Sequence, residues 1–177
     1  MRIQRLLEFS VFAGLVMTVS ACALMQERKA MGDPDSMFLM STARASAAEE
    51  QLSQMAATRA QDPSVKRFAQ QVAADHRRIN QELAQVAGQK GLTIEAEPDE
   101  LHQKAAQHLS QLSGEQFDRE YMSEMVADHA KMLSKFEDKA RISRDPQVRQ
   151  WAASKVPSFR QHYEMAQKVN DTLKGGR

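Results

Sequence analysis

The chain has 177 residues, of which 42% are hydrophobic and 27% charged, with seven Gly, five Pro and a formal net charge of +1. That is one domain's worth of chain with an ordinary apolar core and a lean towards helix. Its near-neutral balance excludes the basic footprint of a nucleic-acid binder, and a single cysteine, Cys22, excludes a disulfide within the chain.

The first stretch is not part of a fold. Arg2 and Arg5 precede a short apolar run, Phe9 to Ala21, that ends in Val19-Ser20-Ala21-Cys22. The run has the layout of a signal peptide and is too short for a comfortable transmembrane helix. Small residues at the two positions before a cysteine resemble a bacterial lipobox, in which the thiol is acylated and the cysteine becomes the new N-terminus. Ordinary cleavage around Ala21-Cys22-Ala23 and an uncleaved anchor are the alternatives, and Glu8 at the start of the run departs from the pattern. The lipoprotein reading divides the chain into a signal peptide (1–21), a tether (22–35) and a domain (36–174). Removing the signal peptide takes away two Arg and one Glu, so the mature net charge is zero. Acyl chains on Cys22, each buried CH₂ contributing about 0.8 kcal/mol, would hold the domain to a membrane outside the cytoplasm. Ala23 rather than Asp after the cysteine points to the outer membrane, facing the periplasm, if the bacterium has two membranes.

Asp33-Pro34-Asp35-Ser36 is a helix start signal, and the first long helix is expected from Met37 to Arg59. Its seam is Phe38, Thr42, Ala45, Glu49, Leu52 and Ala56, spaced by alternating fours and threes. Asp62-Pro63-Ser64-Val65 opens a second helix to about Gly88, with Val65, Ala69, Val72, His76, Ile79, Leu83 and Val86 on its seam. Asp accepts from free amides at an N-cap, and Pro costs nothing at the first helical position. Pro98-Asp99-Glu100 then opens a short helix with Leu101, Ala105, Leu109 and Leu112 inward and His102 and His108 outward. Ser113-Gly114-Glu115-Gln116 matches a capping box for a third long helix to Ile142, whose seam is Asp118, Met122, Met125, His129, Met132 and Phe136. Asp145-Pro146-Gln147-Val148 repeats the earlier Asp-Pro signal and opens a fourth, with Val148, Ala152, Lys155, Phe159, His162, Ala166, Val169 and Leu173 inward and a kink expected at Pro157. Tyr121 is expected as a buried hydroxyl. Two such hairpins make an all-α four-helix bundle. The intervening 26 residues, 89–114, are long enough to climb the length of a helix, which predicts the single crossover of ferritin-like bundles rather than an up-down-up-down path.

Each long seam carries one ionisable residue near its middle. Glu49 lies 13 residues before Asp62 and His76 lies 14 after it, whereas His129 lies 16 before Asp145 and His162 lies 17 after it. At 1.5 Å per residue, all four sit about 20 Å from their turn. Burying four polar groups in one slice is costly unless they are paired or ligate a metal. Three imidazoles and a carboxylate suit Fe, Mn, Cu or Zn; a structural polar layer is the alternative. Asp118, further along the third helix, is a candidate extra ligand. The Asp in each Ala-Asp-His string, Asp75 and Asp128, could orient its histidine, although neighbours on a helix diverge by about 100°. Three residues before the histidines stand Ala73, Val126 and Phe159, so the Glu-x-x-His pairs of a di-iron centre are missing. Met25, Met31, Met37 and Met40 are soft Cu(I) ligands by type and packing residues by base rate. No nucleophile–base triad, phosphate loop or HExxH string is present, which leans away from an enzyme.

The set of Phe38-Leu39, Glu49-Glu50-Gln51-Leu52, Asp62-Pro63-Ser64-Val65 through Ala74-Asp75-His76, Ser113 to Tyr121, His129 and Val156-Pro157-Ser158-Phe159-Arg160-Gln161-His162 resembles a bacterial family of exported, ferritin-like proteins. The domain of that family has no known function, and its members are commonly labelled membrane or outer-membrane proteins. The resemblance covers residues 37–170 and implies the ferritin-like bundle and export, with no activity attached. The expected protein is therefore a lipid-anchored cell-envelope helical bundle, possessing a Glu/His layer that binds a metal or specifies packing. A metal-dependent oxidoreductase or metal-storage protein, and an envelope protein–protein interaction module, are the alternatives.

Overall fold

The computed structural model describes residues 32–175 apart from Glu95. The signal peptide, Cys22, most of the tether, and Met25 and Met31 lie outside the described residues. Five helices follow one another: α1 (Pro34–Arg59), α2 (Pro63–Gly88), α3 (Glu100–Ser110), α4 (Gly114–Ile142) and α5 (Pro146–Gly175). There is no strand among the described residues. None of these helices is long and apolar enough to cross a membrane.

Aspartates fix where four of the helices begin. Asp33 Oδ2 accepts the amides of Asp35 and Ser36, and Asp62 Oδ1 accepts that of Ser64. Asp99 accepts the His102 amide, and Asp145 Oδ1 those of Gln147 and Val148. These bonds satisfy amides that no helical carbonyl reaches. Because Asp33-Pro34 acts as a cap like the others, α1 starts at Pro34, three residues before the expected Met37 and inside the expected tether. The capping box at Ser113 is not made. Ser113 caps α4 without a side-chain bond, since Gly114 adopts φ +60° and turns the chain there. A Cβ on Gly114 would stand 3.0 Å from Gln61 Oε1, the movable end of an exposed side chain, so it is the positive φ that calls for glycine here. Helix α5 continues through Pro157 without a break.

The helices form a bundle of two hairpins. Helix α1 packs on α2 and α4 on α5, α1 and α2 meet α4 and α5 respectively, and α3 lies over the seam between α1 and α4. Directions follow from the ends. Asp118, near the start of α4, binds the turn between α1 and α2, accepting the Gln61 amide at 3.0 Å and the Asp62 amide at 2.6 Å. Asp35, at the start of α1, binds the opposite turn, accepting from Ser143 Oγ and Lys139 Nζ at 2.8 Å each. The crossover leaves α2 near Asp145, to which Lys90 is paired, and reaches the other end, where the Arg59 guanidinium donates to the carbonyls of Ser110 and Leu112. The link between α2 and α4 thus begins near one turn of the bundle and ends near the other.

The core has two apolar clusters with a polar slice between them. One holds Phe38, Leu39, Leu83, Phe136, Trp151 and Phe159, and the other Leu52, Phe68, Phe117, Tyr121, Met122 and Met125. The α2 and α4 seams are buried as expected, and Tyr121 is fully buried with its hydroxyl 2.9 Å from Ser53 Oγ. On α3 the expectation is corrected at one turn: Leu101 is 64% exposed, whereas His102 is 9% exposed and faces inward. Asp99 is the cause, because its carboxylate takes both the His102 amide and the ring Nδ1, rotating that residue to the inner face.

Asp118 is 1% exposed and serves three amide contacts at the turn. Asp118→Ala would leave the Gln61 and Asp62 amides without this acceptor at a part-buried turn, and is expected to cost about 1–3 kcal/mol in urea unfolding, with Asp118→Asn losing less. An Ala variant within a few tenths of the wild type would contradict the clasp.

Candidate metal centre

Between the two clusters, α2, α4 and α5 each project one histidine inward. His76, His129 and His162 are 0%, 0% and 1% exposed. Each offers one ring nitrogen, and those three atoms lie within 4.8 Å of one another. The rings are mutually close, with centroids 5.6 Å apart for His76–His129, 5.9 Å for His76–His162 and 5.3 Å for His129–His162. Phe159 sits 5.8 Å from His76 on one side of the slice, and Phe68 sits 6.2 Å from His129 on the other.

The second nitrogen of each ring is tied outward. His129 Nδ1 donates to the Met125 carbonyl at 3.0 Å, and His162 Nε2 donates to the Asp75 carboxylate at 2.8 Å. His76 Nδ1 lies 3.0 Å from Ser46 Oγ on α1. With those nitrogens occupied, His76 Nε2, His129 Nε2 and His162 Nδ1 remain buried without a partner. An outward partner that fixes the tautomer and leaves the inner nitrogen bare is the arrangement metal-ligating histidines use. Burial holds all three rings below the usual imidazole range. His76 is lowered further by the neighbouring rings, and His129 is brought down to about 3; the Asp75 carboxylate opposes the shift at His162. The three are neutral at pH 7, as ligation requires.

Glu49 lies beside this group without joining it. It is 0% exposed, its Oε2 is 3.8 Å from His129 Nδ1, and both of its oxygens lack partners. Burial, then the charges of Asp128 and Glu124, push its carboxyl well above the usual carboxylate range. The structure brings His76, His129 and His162 of the expected slice into mutual reach and places Glu49 beside them. Asp118 stands apart: it is 11 residues from His129, about 16 Å along the helix, and its oxygens serve the turn. Of the methionines in the described residues, Met37 is 56% exposed at the bundle's end and Met40 is half-buried.

The Ala-Asp-His strings work across helices. Asp75 orients His162 of the facing helix, not His76 beside it, and Asp128 pairs with Lys131 at 2.9 Å while facing His102 Nε2 at 3.8 Å. The turn of about 100° between neighbours sends each Asp to the adjoining seam. Ser46, one turn before Glu49, and the inward His102 carried no signal in the sequence that marked them for this layer.

The neutral layer carries a pH dependence. For a histidine lowered in the folded state, nothing is lost above its unfolded value of about 6.5, whereas below it the unfolded chain takes protons that the folded chain refuses. Glu49, raised in the folded state, acts oppositely, stabilising at low pH and losing that contribution as pH rises through its folded value. Three imidazoles outweigh one carboxyl between pH 6.5 and 4.5. The metal-free protein should therefore lose stability on acidification from pH 7 to 5, on the order of 1–2 kcal/mol per pH unit by urea unfolding. A flat profile would mean that the rings protonate freely in the folded state.

The family described as "Domain of unknown function (DUF4142)" matches residues 20–169. No curated protein and no solved structure matches the chain.

Proposed function

Since the chain belongs to the DUF4142 family, whose description names no activity, we propose its function from the site itself: it binds a transition metal through His76, His129 and His162. The observation that carries this reading is that three buried imidazoles each bring a ring nitrogen within 4.8 Å of the others, and that each ring has one nitrogen with a partner and one without. Leaving a buried polar atom unpaired costs about 1–3 kcal/mol, and three in one slice is a large sum for a domain to carry without return. A bound ion would satisfy all three. Neutral imidazoles suit Fe, Mn, Cu and Zn, and a three-nitrogen set leaves positions for a further ligand, which is the chemistry that storage, transfer or redox use would draw on. Non-enzymatic metal binding is the leading reading. An oxidoreductase using the same set is the second, favoured only by the unpartnered Glu49 carboxyl alongside.

The path of the chain supports a ferritin-like four-helix bundle with a long crossover, and the ligand set differs from a di-iron centre in having no carboxylate within the mutual reach of the three nitrogens. Among the described residues the large exposed hydrophobics are Met37, Leu101 and Ile142, which gives an interaction module little apolar surface to rest on.

The test is metal analysis of the full chain, purified in mild detergent without a His-tag and reconstituted with Fe, Mn, Cu or Zn, beside His76→Ala/His129→Ala and His129→Leu. One metal per chain in the wild type, lost in both variants, is expected. The metal-free His129→Leu protein should also be as stable as the wild type or more so, because an apolar group replaces an unsatisfied one. Destabilisation of His129→Leu with no metal in the wild type would instead make the layer a packing device.

The Val19-Ser20-Ala21-Cys22 string supports an envelope location with Cys22 as the lipid anchor. Labelled palmitate should enter the wild type and not Cys22→Ala. Equal labelling would remove the anchor from the proposal.

A further inference from the structure

We infer that the cavity beneath the crossover helix is the entrance by which a divalent transition-metal cation reaches the three imidazoles, with Glu49 as its floor. The inference rests on the metal reading above and adds to it a route and the residues that form it. The cavity has a volume of about 220 Å³ and is bounded by α1, α3 and α4. Glu49, Asp99, His102, Asp128, Lys131 and Lys135 contribute to its wall.

Closure elsewhere singles out this opening. Along the bundle axis, the slice is capped on one side by Phe136 and Phe159, whose centroids are 4.4 Å apart, and on the other by Phe68, Met122 and Met125. On the seam between α2 and α5, Asp75 bonds both His162 and Arg78. Two further cavities lie at the bundle's ends, around Asp62 and Asp118 and around Asp35 and Lys139, and no member of the histidine layer lines them. The crossover cavity alone among these three has a member of the central slice in its wall.

Its chemistry suits a cation in transit. Asp99 stands at the rim, 47% exposed in its side chain and bonded to His102. His102 Nε2 is 3.8 Å from Asp128 Oδ2, an atom that is buried and unpartnered. Glu49 follows, with two unpartnered oxygens, and Oε2 is 3.8 Å from His129 Nδ1, on the side of that ring away from its unpartnered Nε2. Within the wall Lys131 pairs with Asp128 and Lys135 bonds Ser41 Oγ, and Arg44 lines the cavity as a third cation. Oxygen and imidazole donors thus step inward from solvent to the layer. Among the described residues no three of them come within mutual ligating reach outside the histidine triad, so the cavity passes an ion on and does not trap one.

The experiment is stopped-flow mixing of the metal-free full chain in detergent with Co²⁺, read by the visible absorption of the bound ion, followed by chelator-driven release. Ala45→Phe fills the cavity from the half-buried Ala45 wall position. Asp128→Asn removes an inner carboxylate, and Thr172→Phe bulks up an end cavity as the control. Ala45→Phe is expected to slow binding and release alike, by tenfold or more, at unchanged stoichiometry and affinity. Asp128→Asn should slow binding several-fold and would carry the test if Ala45→Phe failed to fold, while the control should match the wild type. Wild-type rates in both Ala45→Phe and Asp128→Asn would overturn the inference and leave the metal reading intact. An affinity loss at unchanged binding rate would likewise overturn it, by making these residues ligands. No Co²⁺ bound by the wild type would overturn both.

Discussion

Two aspartates hold the hairpins in register, and the central slice exists because of them. Asp118 on α4 takes the amides of the α1–α2 turn, and Asp35 on α1 takes the Ser143 hydroxyl and the Asp145 amide at the α4–α5 turn. Each hairpin's first helix therefore clasps the other hairpin's turn. Hydrophobic seams tolerate sliding, since Leu and Met pack against many partners; a charged oxygen 2.6 Å from an amide does not. A slip by one turn, about 5.4 Å, would carry His129 out of reach of the other two rings.

Fixed register makes the desolvation of the layer unavoidable. With aromatic clusters on both sides, water has little space beside the rings, and burial lowers every imidazole while raising Glu49. The same burial that makes the metal-free layer costly keeps its nitrogens deprotonated, so affinity for a metal and loss of stability in acid have one physical source.

The fold was legible because its punctuation is strong. Asp-Pro pairs mark three helix starts, and alternation of threes and fours along Val65 to Val86 identifies a face with no competing frame. The depth argument for Glu49, His76, His129 and His162 survives even though the two turns lie at opposite ends, since each residue is near the middle of its helix and a midpoint is the same from either end. What the sequence concealed was rotation and partnership. On the 11-residue α3, Leu101 and His102 offer rival faces, and only the Asp99 side chain decides between them. Asp75 and Asp128 look tied to the histidines that follow them, but their partners lie on other helices. Asp118 falls on a seam and so looked like a ligand, yet a seam position at a helix end meets a turn and not the core's centre.

The exchange of clasps relates the two hairpins by an approximate two-fold operation, which pairs α1 with α4 and α2 with α5. The clasps set its register, Asp35 with Asp118 and Asp62 with Asp145, and that register carries His76 onto Phe159, His129 onto Ser46 and Glu49 onto Met132. The four members of the layer therefore do not repeat one another: each faces a residue of another kind at the related position of the other hairpin. A symmetric ring would have no front or back. This one differs in chemistry from one side to the other: three members are neutral imidazoles, and the fourth is a carboxyl in the wall of the cavity under the crossover. Direction in this bundle therefore comes from the crossover over a single seam together with the one carboxyl that lies beneath it.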